Sequence, residues 1–279
     1  ETDDVFVTSN HAYVTNMHLG LGILDISDPY HPVEVGRYDT PGEAHGIYVI
    51  PPYAYVADKP RGLRIIDISN PNNPFEIGYY DTLGIANDVF VSGSFAYIGD
   101  WYSGLRIINI SNPFNPYEVG KFVPPGHDVH GVYVSGNYAY IGIYDGGLIV
   151  LDIYDPTRPK MVASIDTPGE THSIKVSGNL LYMADGPNGL RIIDISNPTI
   201  PVEVGSYKPI NGYIHGVYIE GNKAYLTNEG KGLYVVNISN PASPYPVGYY
   251  MTGDLAHFVF RYNGYTYVTD EGDGLYIFQ

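Results

Sequence analysis

This sequence predicts an all-β fold, a seven-bladed β-propeller of four-stranded antiparallel blades in which the last blade has three strands. Three observations carry the prediction. A Gly-Leu pair recurs at Gly20, Gly62, Gly104, Gly147, Gly189, Gly232 and Gly274, in steps of 42, 42, 43, 42, 43 and 42 residues. Every unit is built from short strand-like pieces, and a strand-only period of about 40 residues is what one propeller blade per repeat produces. Gly and Pro punctuate the units so closely that no crossover helix fits between them. The repeat runs unbroken through residues 1–279, which predicts one domain with blades starting near 4, 46, 88, 131, 173, 216 and 258.

The stretch from His45 to Tyr80 shows one blade in full. "HGIYVI" alternates apolar side chains and reads as a first strand. "AYVAD" is a second strand, and its tyrosine returns in every unit, from Tyr13 and Tyr55 to Tyr267. "GLRIIDIS" supplies a third strand, where Ile65, Ile66 and Ile68 are β-branched residues suited to a pleated sheet. "NPNNP" is a turn, because Asn initiates turns and Pro presets φ while lacking a donor. "FEIGYY" closes the blade as a fourth strand. Strands apolar on both sides fit sheets that pack face to face.

The units "GLRIIDISNP" at 62–71 and 189–198, with "GN.AYVAD" and "P.EVG.Y", resemble the LVIVD-repeat family of β-propellers over the whole chain. Blade four departs from the pattern with "GLIVLDIYDP" at 147–156. The resemblance implies an extracellular, cell-surface or periplasmic protein and no common reaction. "AYVTN" at 12–16 is similar to YVTN surface propellers and implies the same compartment. Glu1, where a methionine would open a complete reading frame, reads as the start of a processed or excised piece.

Closure is uneven. The third-strand motif occurs seven times and the fourth-strand motif six, so blade seven should end in an open edge at Leu275–Phe278. An open apolar edge invites strand addition by a partner or neighbouring subunit. The other reading is a short, tolerated edge, or one covered by sequence outside the chain.

Composition narrows the partners. Fourteen basic against thirty acidic residues give a net charge of −16, which disfavours nucleic acid and anionic membranes. The absence of cysteine excludes disulfides and thiolate chemistry. No apolar run is long enough to insert in a membrane as a helix.

Five of the nine histidines fall at one place in the repeat, where the first strand begins: His45, His130, His172, His215 and His257. Asp3 and Asn87 occupy that place in blades one and three. First strands line a propeller's channel, so these seven residues should form a polar ring at one mouth. Glu43, Asp128 and Glu170 lie two residues upstream, with His127 beside Asp128. The loops after the second strands bring Asp58, Asp100, Asp185 and Asp270 to the same face, with Asn16 and Asn228.

Two readings follow. In one, each histidine bonds the loop aspartate of its own blade, His45 with Asp58, His172 with Asp185 and His257 with Asp270, fastening connector to blade. In the other, the histidines and Asp3 hold one transition metal ion (Zn, Cu, Fe, Ni or Mn), the remaining polar groups orienting the ligands or contacting a bound molecule. Trp101 and Tyr102 share the face and suit stacking on a sugar or peptide. Arg64, Arg106 and Arg191 recur in third strands, where replacement in the other units reads as an exposed surface.

The leading expectation is a non-catalytic cell-surface or secreted binding module, with a protein or glycan partner at the histidine-ring face. The alternative is a metal-dependent lyase or oxidoreductase, with Glu43, Asp128 or Glu170 moving protons. A third is a structural subunit assembled through Leu275–Phe278.

Overall fold

In the computed structural model, which describes residues 2–126, 128–210 and 212–279, the chain forms 27 strands in seven antiparallel sheets. Each sheet is one blade, its strands ordered from the channel outwards as they occur in sequence. Blade one comprises Thr2–Thr8, His11–Asn16, Gly20–Asp25 and Val33–Tyr38, and blade two Ile47–Ile50, Tyr53–Ala57, Leu63–Asp67 and Phe75–Tyr80. Blades three to six repeat this order. Blade seven has three strands, Ala256–Tyr262, Tyr265–Asp270 and Gly274–Phe278, as the motif count predicts.

The recurring glycine of the Gly-Leu pair has a conformational reason. Gly62, Gly104 and Gly189 take φ of +70°, +82° and +83°, a left-handed conformation that L side chains resist. It starts the third strand directly beneath the end of the fourth.

Packing between blades is apolar and deeply buried. Leu63 and Ile65 of blade two meet Ile98 and Ile108 of blade three in one fully buried cluster, and the other neighbours repeat this. Each such side chain contributes about 1.5–3 kcal/mol on burial. The spacing at the rim is set by a fourth-strand glycine. A Cβ on Gly36, Gly78, Gly120 or Gly205 would stand 1.9–2.1 Å from the carbonyl oxygen of the turn proline in the next blade. Blade four has Ala163 at this position.

The loop aspartates anchor the connectors, with partners other than the expected histidines. Thr40, Thr82 and Thr167 each donate Oγ1–H to Oδ1 of Asp58, Asp100 and Asp185 at 2.6 Å, from the connector entering the same blade. The amides of Gly42 and Gly84 reach the other carboxylate oxygen at 2.8 and 3.0 Å. Behind them lie Arg64, Arg106 and Arg191, with Nε at 3.5, 3.6 and 3.1 Å from the same carboxylates. Arg64 and Arg106 are buried, not surface residues, because their charge is needed against an acid that has no solvent. Desolvation still pushes Asp100 up to about 6. In blade seven, Asp270 instead takes the amides of Asp254 and Asp273, both at 3.2 Å.

The channel is plugged. Phe6, Tyr48, Phe90, Tyr133, Tyr218 and Phe260 point inward from the first strands, with neighbouring centroids 4.6–5.3 Å apart, and Lys175 holds the seventh place. Above them Asp4 and Asp88 bridge blades. Asp4 accepts from the amides of Val5 and Ile47, and Asp88 from those of Val89 and Val132. Burial raises both carboxyls, Asp4 to about 7.

Two outcomes are expected in urea denaturation. Gly78→Val should lose about 1–3 kcal/mol or more by forcing blades two and three apart, while Gly248→Val, with no atom within 4 Å of its Cβ position, should stay near wild type. Thr82→Val should cost about 1–3 kcal/mol by stripping buried Asp100 of a donor.

Candidate functional site

Sequence places seven polar residues at the start of seven first strands, and the fold gathers them above the plug. Threonines of the second strands fix several of them across blade boundaries. Thr15 donates to the carbonyl of His45, Thr227 to that of His257 at 2.5 Å, and Thr269 to that of Asp3 at 2.6 Å. The last of these bonds joins blade seven to blade one. Gly46, Gly131 and Gly216 follow three of the ring histidines. A Cβ on Gly46 would stand 2.7 Å from the Asn87 carbonyl, so glycine there allows close approach of neighbouring strands.

The imidazoles are layered. His172 stacks on His215 (4.4 Å, 29°) and His215 on His257 (4.7 Å, 19°), while His130 meets His172 edge to face at 5.6 Å. Trp101 and Tyr144 continue the wall at 5.9 and 4.7 Å from His130. Across the mouth, His45 Nδ1 donates to the Asn87 carbonyl at 2.8 Å. Asp3, 1% exposed, stands between two histidines, its Oδ1 3.5 Å from His45 Nε2 and 3.6 Å from His257 Nδ1.

Burial sorts the charges. Desolvation lowers His130 to about 3, His172 to about 4, and His45 and His215 below the usual histidine range, so all four are neutral at pH 7. Burial opposes charge on His257 too, but Asp3 outweighs it and raises this one imidazole. Asp3 is correspondingly lowered, since the two histidines overcome its own desolvation. At the mouth, Asp3 and His257 each favour the other's charged form, while the other four rings disfavour charge.

Among the described residues, no group of three or more His, Asp and Glu is arranged to hold a metal ion. Stacking is the physical reason. A nitrogen lone pair lies in the plane of its ring, so nearly parallel rings aim their lone pairs side by side instead of at a common point. A metal centre at the ring would require His172, His215 and His257 to turn from this stacked orientation.

What the ring does enclose is a cavity of 330 Å³ lined by His45, Asn87, Trp101, His130, Tyr144, His172, His215, Phe258 and Asp88. A second hollow of 430 Å³ shares His45, Asn87, Trp101 and His130 and runs outward past Lys59 and Glu43. Several buried polar atoms here have no partner among the described residues: Trp101 Nε1, His130 Nε2, His215 Nδ1 and Asp3 Oδ2. Trp101 adopts φ +45°, uncommon for a bulky residue, and is held there by paired backbone bonds with Val129 at 3.1 and 3.0 Å.

The remaining predicted residues divide clearly. Glu170 joins the site, accepting from Tyr213 Oη, which also bonds His172 Nε2 at 2.7 Å. Glu43 sits on the rim, half exposed, 3.4 Å from Lys59 Nζ. Asp128 contributes its backbone carbonyl to Tyr144 N. Asp58, Asp100, Asp185 and Asp270 lie behind the ring in their connector contacts, and His127 falls outside the described residues. Tyr144 and Tyr213 were not anticipated. Both were recoverable, since Tyr144 holds the repeat position of Trp101, and Tyr213 precedes His215 by the same two residues as Glu170 precedes His172.

Solved structures share the architecture at low identity. The β-propeller domain of Cps50 (Swd1) from Myceliophteria thermophila superposes with a TM-score of 0.81 at 10% identity, over 99% of this chain and 95% of that one. The WD40 propeller of Doa1 gives 0.80 at 11%, over 100% and 92%, and BamB from Moraxella catarrhalis 0.68 at 12%, over 99% and 80%. These likenesses establish the fold alone. No curated protein matches the chain. The LVIVD repeat model matches six successive segments, residues 1–40, 41–82, 83–123, 126–167, 168–208 and 211–252, and the chain belongs to the LVIVD-repeat family.

Proposed function

We propose that this propeller is a non-catalytic, cell-surface or secreted binding module whose histidine mouth takes a glycan. The observation that carries the reading is the set of unpartnered buried polar atoms on Trp101, His130 and His215 around an aromatic-walled cavity. Buried polar groups without partners are rare in folded proteins and mark places where something else supplies the bond. Its 330 Å³ falls within the range of small-ligand sites.

The chemistry of the walls selects the ligand class. Neutral imidazoles each offer one donor and one acceptor, and the indole N–H adds a donor. The 330 Å³ cavity is lined by no Lys or Arg, and Lys59 in the adjoining hollow already faces Glu43, so on a chain of net charge −16 an anion is poorly matched. Hydroxyl groups, which both donate and accept, match this set, and the faces of Trp101 and Tyr144 suit the C–H surfaces of a sugar ring. The surface location rests on the family resemblance.

Trp101 is the only tryptophan, so its fluorescence reports directly on the mouth. Titration with a panel of neutral oligosaccharides should change its emission saturably for at least one member. Trp101→Ala should weaken that binding about tenfold or more by calorimetry, as loss of a buried hydrogen bond and stacking surface would require. No response across the panel would reject the glycan reading. One metal per chain by elemental analysis, with a melting temperature that falls on chelation, would favour the metal-dependent alternative and require the imidazoles to unstack.

The neutral rings also set the acid limit. A histidine lowered from 6.5 to about 3 binds fewer protons folded than unfolded, so stability falls as pH drops from 6.5 toward 3. Between pH 7 and 4.5, His130→Gln should lose on the order of 2 kcal/mol less than wild type in urea melts at the two pH values.

A further inference from the structure

Two hollows meet at the mouth, and their shapes say how much of a glycan it takes. One of 330 Å³ lies inside the ring, and one of 430 Å³ runs outward over blades two and three. His45, Asn87, Trp101 and His130 line both, which makes these four the junction of the two spaces. The repeat supplies the path between them. One repeat position, just after the second strand, is Lys59 in blade two, Trp101 in blade three and Tyr144 in blade four. Lys59 faces the outer hollow, Trp101 faces both, and Tyr144 faces the inner cavity.

The inner cavity is closed below and on its far side. Asp88 and Phe258 stand at its floor, and Phe6, Tyr48, Phe90 and Phe260 fill the channel beneath them. Facing away from blades two and three, the wall is joined side chain to side chain. His172 Nε2 bonds Tyr213 Oη at 2.7 Å, Tyr213 donates to Glu170, and His172, His215 and His257 are stacked. A chain threading through a site needs two exits, and these contacts leave the outer hollow as the lined path out.

The outer hollow has its own chemistry. Lys59 Nζ lies 3.4 Å from the Glu43 carboxylate and 3.3 Å from Met17 Sδ, which holds the ammonium in place. Pro60 and Ile85 add apolar surface, and the Ala86 amide beside Ile85 donates to the Lys59 carbonyl at 3.0 Å. An ammonium donor next to a carboxylate acceptor suits neighbouring hydroxyls, and Pro60 and Ile85 suit a C–H face. At the junction, Trp101 Nε1 and His130 Nε2 have no partner among the described residues. Oxygens on either side of a glycosidic link would complete their bonds.

Resting on the glycan reading above, we propose that the mouth is a two-subsite site for the end of a linear neutral glycan. The terminal sugar fills the ring cavity, the next lies between Lys59 and Trp101, and the chain leaves over blades two and three.

The test adds neutral malto-, cello-, xylo-, manno- and N-acetylated chito-oligosaccharides to the full chain, each series as mono-, di- and hexasaccharide. Trp101 fluorescence and calorimetry report binding. In a series that binds, the disaccharide should bind about tenfold tighter than the monosaccharide, the gain of one or two added hydrogen bonds. A hexasaccharide capped with a bulky dye at one particular end should still bind, and one capped at both ends should not. Ile85→Trp, which fills the outer hollow, and Lys59→Met, which removes its donor, should each bring the disaccharide down toward the monosaccharide. Melting temperature separates these effects from loss of the fold, and the two variants act by different means. Equal affinity for mono- and disaccharide, binding of the doubly capped chain, or a disaccharide gain untouched in both folded variants overturns the two-subsite proposal and leaves the glycan reading standing. No response to any member of any series rejects both.

Discussion

The contact on which the ring depends is the close approach of one blade's fourth-strand glycine to the turn proline of the next. With about 2 Å between a hypothetical Cβ and the proline carbonyl, the sheets can sit no closer and no side chain can intervene. Everything inward inherits that spacing. The isoleucine and leucine layers are fully buried, the channel-facing aromatics arrive within 5.3 Å of their neighbours, and the first-strand residues are carried into a ring small enough for imidazoles to stack. A period in sequence becomes a fixed radius in space.

That radius also decides the chemistry of the mouth. Four imidazoles pressed against one another and against Trp101, Tyr144 and Phe258 leave little water to solvate a proton, so the neutral form wins at four of the five histidines. His257 escapes because Asp3 faces it, and Asp3 can remain charged because His257 and His45 face it in turn. Stacking and neutrality reinforce each other, since two charged rings 4.4 Å apart would repel. The same stacking means that a metal held here would need His172, His215 and His257 to turn. The number of ring histidines is set by the repeat, but their lone-pair directions are set by packing between blades.

How much of this was legible follows from which contacts are local. The blades, the seven-residue ring and the short last blade rest on period and pattern within one unit, and all three can be read directly. The partners of the loop aspartates cannot be read from one unit. His45 points to Asn87 and Asp3 in other blades, and Asp58 turns to Thr40 and Arg64. A trace of this was present across units. Thr40, Thr82 and Thr167 accompany Asp58, Asp100 and Asp185, whereas blades four and six have Pro124 with Ile143 and Pro209 with Asn228. Arg64, Arg106 and Arg191 follow the same three aspartates, and blades one, four and six lack both acid and arginine, whereas blade seven keeps Asp270 with Tyr276 in the arginine's place. The aromatic plug was similarly available, because six of seven units place Phe or Tyr three residues after the ring position, but alternation alone does not say which face of a first strand meets the channel.

Departures from the repeat then carry more information than the repeat itself. Where all seven units agree, the residue serves packing, and its role follows from symmetry. Trp101 in a strained backbone, Lys175 among aromatics, and glycines 248 and 274 facing open space are places where one unit differs in its surroundings while the scaffold stays constant. Gly248 makes the case most plainly. In blades one, two, three and five the same glycine answers a steric demand from the next blade, whereas at Gly248, beside blade seven, no described residue makes that demand. A glycine inside a strand weakens it unless another backbone approaches closely, and none of the seven described sheets makes that approach at Gly248. The ring is thus closed at its centre, where Thr269 ties blade seven to Asp3, while the described residues give blade seven three strands at the rim.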